Sequence, residues 1–434
     1  MPALPLPWRD WLWPGLAAMA TYACMYAFRK PFAAATYATA DGLDYKVWLV
    51  IAQTCGYAFS KFLGIRLIGQ LSAAARQPLL LRIVGGAWLS WLGFALLPDP
   101  FRWPMLFCNG LLLGLVWGVV FSYLEGRRGT EAMAALLAAS LIFSSALVKA
   151  VGKQLLLMGV EVAWMPFAVA AIFVLPLLYC VRQLAQLPPP SREDQGERMP
   201  RRALQVHARR RLLRSLLPGL LPLGLGYVAV GVLRDMRDSF EADLLAEFGH
   251  GGSASLFVWL ELPATIAALL LAGSLVRVRE HPRCLWRLHC WMALGLAGVL
   301  GVTVLCQARV LSPLAWLTLT GLCLSMAYVP FNCAFFERLI ATFRIRGNVG
   351  FFAYLFDTAA YFGSCSVLLA APWGWADAGW AERLGALAIV LPLIGGIGVL
   401  VSLQYFQRRY RQRHAGRREP QAATQPLIPQ ERFP

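Results

Sequence analysis

Two arginines stand in matched settings: Arg29 follows Tyr22 by seven residues, Arg234 follows Tyr227 by seven, and each lies in a long apolar run. A guanidinium in such a run is expensive, about 2.5 to 3.5 kcal/mol even on a lenient insertion scale, so it must face a cavity or a partner. Its planar fork grips a phosphate or carboxylate through paired, charge-assisted hydrogen bonds. Lys61 adds a third cation, and Lys30 and Lys149 add two more. Tyr22, Tyr26 and Arg29 are spaced by four and three and Tyr57 and Lys61 by four, so on helices the phenols line the faces that carry the cations. Acids occur in the same setting: Glu261 and Asp357 within apolar runs, Asp238 and Glu125 near their ends. Burial raises the pKa of a carboxyl, which makes these four candidates for coupling or gating. Blander readings remain open for Lys153 as a side chain reaching the interface, for Arg237 and Asp238 as groups already outside, and for Glu125 with Arg127 as a loop pair.

The elements that must position these residues follow from composition. Of 434 residues, 58% are hydrophobic and 15% charged, an excess of apolar content that points to lipid as the solvent. Twelve apolar runs begin near Trp11, Val47, Ile83, Trp103, Ala132, Val162, Ser215, Ser253, Leu288, Val310, Gly347 and Leu384. A span needs roughly 20 such residues, and an unpaired backbone group in hydrocarbon costs several kcal/mol, so helix is the form open to them. After six runs a polar stretch rich in Pro, Gly and charge intervenes, and its last part, ALQVHARRRLLR, could lie on the membrane surface as a basic amphipathic helix. The first run of each half reads Pro-Gly-Leu, then the tyrosine, then the arginine; Glu125 and Glu337 form a weaker echo between the fourth runs. The expected organisation is an all-α membrane protein of two pseudo-symmetric six-helix bundles, residues 1–183 and 214–408, with a cytoplasmic linker at 184–213 and a basic cytoplasmic tail at 409–434. In that arrangement Arg29 and Arg234 face one another across a central cavity, where their like charges repel unless an anion sits between them.

The net charge of +17 resides mainly in loops on one side: Arg76, Arg127 and Arg128, the cluster from Arg192 to Arg214, Arg277 to Arg283, Arg338 to Arg346 and the tail from Arg408 to Arg418. The opposite loops hold Lys46, Arg102, Arg309 and Arg383. This asymmetry predicts cytoplasmic termini and a multi-pass protein of a plasma or bacterial inner membrane, with the lipid bilayer and no nucleic acid as partner. The run from Trp11 to Phe28 is expected to remain as a span, because MPALPLPWRD is barely basic and Arg29-Lys30 separate the run from the small residues Ala38, Thr39 and Ala40. Ten cysteines form no CxxC pair and read as free core thiols; Cys284, His289 and Cys290 cluster without a metal-site spacing. No metal or other cofactor is expected, and without GxSxG, HExxH or an ATP-binding loop no enzyme is expected either.

At the charged residues the sequence resembles the organophosphate:phosphate antiporters of the major facilitator superfamily, the glycerol-3-phosphate and hexose-6-phosphate transporters. The likeness rests on Tyr22-x3-Tyr26-x2-Arg29-Lys30-x-Phe32, on Tyr57-x2-Ser60-Lys61-Phe62, and on the segment from Tyr227 to Arg234. The resemblance implies the major facilitator fold, with Arg29 and Arg234 holding a phosphoryl group, Lys61 adding charge, Tyr22, Tyr26 and Tyr57 donating hydrogen bonds, and Glu261 near the family's acid in the eighth helix. It also implies two halves rocking about the site, with phosphate returning in exchange. The chain departs from the superfamily where GIRLIGQLSAAARQ lacks the Gly-x3-Asp-Arg loop and where Arg277 stands in place of the usual aspartate, so its gating contacts differ and it reads as a divergent branch. Lys149 and Asp357 match nothing in the family pattern. The expectation is a monomeric secondary transporter of a small anionic solute, possible cargo including a phosphate ester, driven by exchange or by protons; the alternative is a transporter-like sensor that binds the anion and signals to a cytoplasmic partner.

Overall fold

The computed structural model describes residues 8–37, 39–40, 43–67, 71–99, 101–124, 127, 130–188, 206–276, 278, 280–343, 349–374 and 378–415. Each apolar run lies on helix. The first half holds α1 (Trp8–Tyr26), α2 (Tyr45–Leu67), α3 (Ala73–Leu96), α4 (Trp103–Leu113), α5 (Val116–Leu124), α6 (Thr130–Leu157) and α7 (Met165–Ala185). The second holds α8 (Val206–Ser239), α9 (Glu241–Glu247), α10 (Leu256–Val276), α11 (His281–Gln307), α12 (Pro313–Pro330), α13 (Phe336–Phe343), α14 (Val349–Gly374) and α15 (Trp380–Ala415). Thr39–Ala40 pairs antiparallel with Leu43–Asp44. Among the described residues nine helices are long and apolar enough to cross a membrane. The outer faces of the helices are apolar: Phe62, Leu89, Leu175 and Leu270 are between 66% and 76% exposed. So many large apolar side chains facing outward suit lipid, not water.

Two runs are interrupted rather than straight. Between α4 and α5 the chain turns at Gly114, and a π-turn over Phe331–Phe335 separates α12 from α13 directly after Pro330; such turns are a recognised cause of helix bends. Helix α8 begins at Val206, inside the stretch read as linker, and continues unbroken through the seventh run. Likewise α15 carries the last run on to Ala415, into the basic tail.

Close packing in the first half is made by glycine. A Cβ at Gly56 would lie 2.2 Å from the Phe107 carbonyl oxygen, and one at Gly110 would lie 2.1 Å from that of Gln53, so α2 and α4 meet backbone to backbone. Small residues permit this approach, and dispersion and hydrogen bonding then hold helices that lipid would otherwise solvate equally well. Between the halves, α2 packs along α14 and α6 along α10. Cys55 on α2 and Cys365 on α14 meet there with sulfurs 3.6 Å apart.

Candidate functional site

Helix α1 stops at Tyr26, three residues before Arg29. The cause is Pro31, which has no N–H to give and whose ring crowds the preceding turn; a short 3-10 turn over Pro31–Ala34 follows. Stopping a helix inside a membrane frees carbonyls that must find donors. Trp91 of α3 donates Nε1 to the Phe28 carbonyl at 2.7 Å, Asn109 of α4 donates Nδ2 to the same oxygen at 2.9 Å, and Gln53 of α2 donates Nε2 to the Arg29 carbonyl at 2.7 Å. Gln53 is itself tied to Asn109 at 3.0 Å. Three helices thus hold the turn that carries Arg29 and Lys30, and the two side chains part company there.

Arg29 enters a small cavity of about 30 Å³ between the halves, room for a water or two. Tyr22, Tyr26, Tyr57, Lys61 and Trp117 line it from the first half, and Arg234, Tyr328, Asp357 and Tyr361 from the second. The guanidinium of Arg29 lies 4.1 Å from the Tyr57 ring centre and donates from Nη1 to the Tyr26 hydroxyl at 3.2 Å. That of Arg234 lies 4.0 Å from the ring centre of Tyr328. Stacking on an aromatic face holds a guanidinium plane while leaving its N–H edge free for a planar acceptor.

The three cavity cations are not equally paired. Arg234 contacts Asp235 at 3.0 Å, whose other oxygen accepts from Ser364 at 3.0 Å. Lys61 contacts Asp357 at 3.1 Å across the halves, and the second oxygen of Asp357 accepts a short hydrogen bond from the Tyr227 hydroxyl. Arg29 has no carboxylate within ion-pair distance among the described residues, and its buried Nε, like the buried Tyr57 hydroxyl, has no protein acceptor. An uncompensated buried cation costs several kcal/mol.

Lys30 points the other way, into a second charged cluster at the end where α1 and α8 finish. It meets Asp238 at 2.7 Å and donates to the Ser239 hydroxyl at 3.1 Å. Lys149 of α6 meets the other oxygen of Asp238 at 2.8 Å and also pairs closely with Glu241, while Ser145 donates to Asp238 at 2.6 Å. Arg237 pairs with Glu261 of α10 and donates to the Leu317 carbonyl at 3.1 Å. Nearby, Lys46 of α2 bonds Asp243 at 2.5 Å and the Ala35 carbonyl at 2.8 Å. Each of these cations has its acid, and most of the pairs join one half to the other.

The structure therefore brings together Tyr22, Tyr26, Arg29, Tyr57, Lys61, Arg234 and Asp357, and it gathers Lys30, Lys149, Asp238 and Glu261 elsewhere. Glu125 lies outside the described residues. Sequence reasoning missed Tyr328, Tyr361 and Trp117, and it missed the clamp of Gln53, Asn109 and Trp91. Tyr361 was findable, since it follows Asp357 by four residues on one helix face. His289, set beside two cysteines in sequence, is buried with its ring nitrogens 2.9 Å from the Leu285 carbonyl and 3.3 Å from the Ser402 hydroxyl.

Residues 31–409 match the model of a family described as a family of unknown function (DUF5690). No curated protein matches the chain. Among solved structures the chain is similar to a D-xylose–proton symporter, with a TM-score of 0.61 and 13% identity over 88% of this chain and 96% of that one. It is similar to a bacterial homologue of the human drug peptide transporters PepT1 and PepT2, with a TM-score of 0.59 and 12% identity over 93% and 98%. It is also similar to the human organic anion transporter MFSD10, with a TM-score of 0.53 and 13% identity over 92% and 100%. At such identities the likeness shows the fold, which is that of the major facilitator superfamily.

Proposed function

The chain belongs to that family of unknown function, and from its fold and its central site we propose that it is a secondary transporter that carries a small anionic solute by alternating access. It works as a single chain in a cell membrane, with twelve spans and both termini in the cytoplasm. The similar structures are named for a sugar, for peptides and for organic anions, so the fold does not choose the cargo and the site must. The observation that carries the reading is Arg29: half-buried with its Nε buried and unpartnered, without a carboxylate, stacked on Tyr57, and sharing one small cavity with Arg234 and Lys61. A phosphate ester or a carboxylate bridging the two forks would satisfy both and remove their mutual repulsion. Exchange against phosphate and proton coupling are both compatible with such a site.

The test is thermal-shift screening of the purified protein against inorganic phosphate, phosphate esters and carboxylates, since a ligand that binds the folded state raises its stability. Arg29→Lys keeps the charge and loses the fork, so it should insert normally and bind the best of these anions about 1.5 to 3 kcal/mol more weakly. Equal affinity in Arg29→Lys and in Arg234→Lys would remove the central anion. Uptake of the anion into liposomes separates carriage from sensing: binding without flux would favour the sensor.

A further inference from the structure

Three contacts follow one another along the seam where α2 of the first half lies against α14 of the second. Lys61 meets Asp357 at 3.1 Å, the rings of Tyr57 and Tyr361 have centres 5.9 Å apart, and Cys55 and Cys365 bring their sulfurs to 3.6 Å. On α14 these residues are spaced by four, so each contact lies about one helical turn, roughly 5.4 Å, beyond the last. The first two line the central cavity. The thiol contact lies outside it, toward the end where α2 begins and α14 finishes. Ion pairs and ring contacts part when the halves separate, whereas a covalent bond does not.

The two thiols differ in access. Cys365 is 6% exposed and Cys55 is half-buried. Cys55 also lines an apolar groove of about 500 Å³, together with Trp48, Ile51, Phe101 and Phe107. A small apolar molecule therefore reaches the Cys55 sulfur from the lipid side, with Cys365 waiting behind it. Closing from contact to the S–S length of about 2.05 Å takes a further approach of about 1.5 Å, which side-chain rotation on two packed helices can supply.

We propose that Cys55 and Cys365 form a thiol-oxidation site whose oxidant is an organic disulfide dissolved in the lipid, and that the bond they make locks the two halves together. Cys55 Sγ attacks one sulfur of the oxidant and breaks its S–S bond; the displaced sulfur leaves as a thiol carrying the Cys55 proton. Cys365 Sγ then attacks Cys55 Sγ, and the second oxidant sulfur leaves as a thiol carrying the Cys365 proton. The cysteines give up two electrons and two protons, and the oxidant takes them as two thiols. Bond formation is independent of any cargo; the locking rests on the alternating-access reading above. A second pair gives an internal contrast. Cys24 of α1 and Cys180 of α7 are also neighbours, but both belong to the first half, so a bond between them leaves the halves free.

The full chain, carrying a protease site inserted within residues 190–205, is placed in liposomes, oxidised with dithiodipyridine and then cut. On a denaturing gel without reductant the two halves should stay joined, and dithiothreitol should part them. Cys55→Ser and Cys365→Ser should each abolish the joined form, while Cys24→Ser leaves it unchanged. Parted halves in the oxidised wild type, or joined halves in Cys55→Ser, would overturn the site and leave the transporter reading intact. The lock is read by hydrogen exchange over residues 31–37 and 239–250, which close the end occupied by the paired charges. Oxidation should slow their exchange at least about threefold in the wild type and leave it unchanged in Cys55→Ser. Exchange that is equally fast in the reduced and oxidised wild type would overturn the lock. If these amides fail to exchange even in the reduced protein, that end does not open, and the alternating-access reading falls together with the lock.

Discussion

The two charged clusters use the same residue types within one membrane domain, and they differ in balance and in space. At the end of α1 and α8, Lys30, Lys149 and Arg237 are matched by Asp238, Glu241 and Glu261, with Lys149 and Glu241 fully buried. In the middle, Arg29 is left over and a small cavity lies beside it. With every cation paired, the first cluster ties the halves together at one end; with one cation lacking a carboxylate, the second lines a small cavity between them. Charge in a membrane is therefore no sufficient sign of a binding site. What sets the two clusters apart is a cation without a carboxylate.

The comparison breaks most easily at Lys149. Replacing it with methionine strands Glu241 and leaves Asp238 to Lys30 alone, and loss of one member of a buried ion pair typically costs about 3 to 5 kcal/mol. Unfolding in detergent should show that loss, and Lys149→Met combined with Glu241→Gln should recover a large part of it because opposite charges leave together. A loss below about 1 kcal/mol for the single variant would mean that the end cluster is not a structural tie.

A smaller effect sharpens the other side. Tyr328→Leu removes the ring under Arg234, and a cation–π contact contributes about 0.5 to 2 kcal/mol depending on desolvation. Anion affinity should fall by that amount, read in the same binding assay, and unchanged affinity would show that Arg234 does not need the ring to be held. The smallest effect belongs to a control outside both clusters. Glu280 and Arg283 form an exposed pair at 2.8 Å, and Glu280→Gln should shift the unfolding midpoint by the equivalent of less than about 1 kcal/mol. A larger shift would show that ionic contacts stabilise this protein wherever they sit, and would erase the contrast.

Local sequence was enough to read some of this. Apolar runs of span length imply helices whatever their neighbours, and Tyr22, Tyr26 and Arg29 with Tyr57 and Lys61 were legible as a cationic, aromatic set because helical spacing alone relates them. The matched arginines came from a repeat that needs no structure to see. Spacing misled in one place: seven residues suggested two regular helical turns from Tyr22 to Arg29, yet α1 ends at Tyr26 because of Pro31. Lys30, grouped with the binding cations, consequently turns toward Asp238.

What the sequence by itself determined was the solvent, the helices and the residues whose burial demands an explanation, since each depends on the side chains of a short segment and the cost of placing them in lipid. Which acid answers which cation was decided by tertiary structure alone. Lys61 and Asp357, or Lys149 and Asp238, are distant in the chain and meet only because α2 packs along α14 and α6 runs beside α10 and the end of α8. Coulomb attraction between buried groups depends on a separation of a few ångströms, a distance that residue spacing does not encode once the partners lie on different helices.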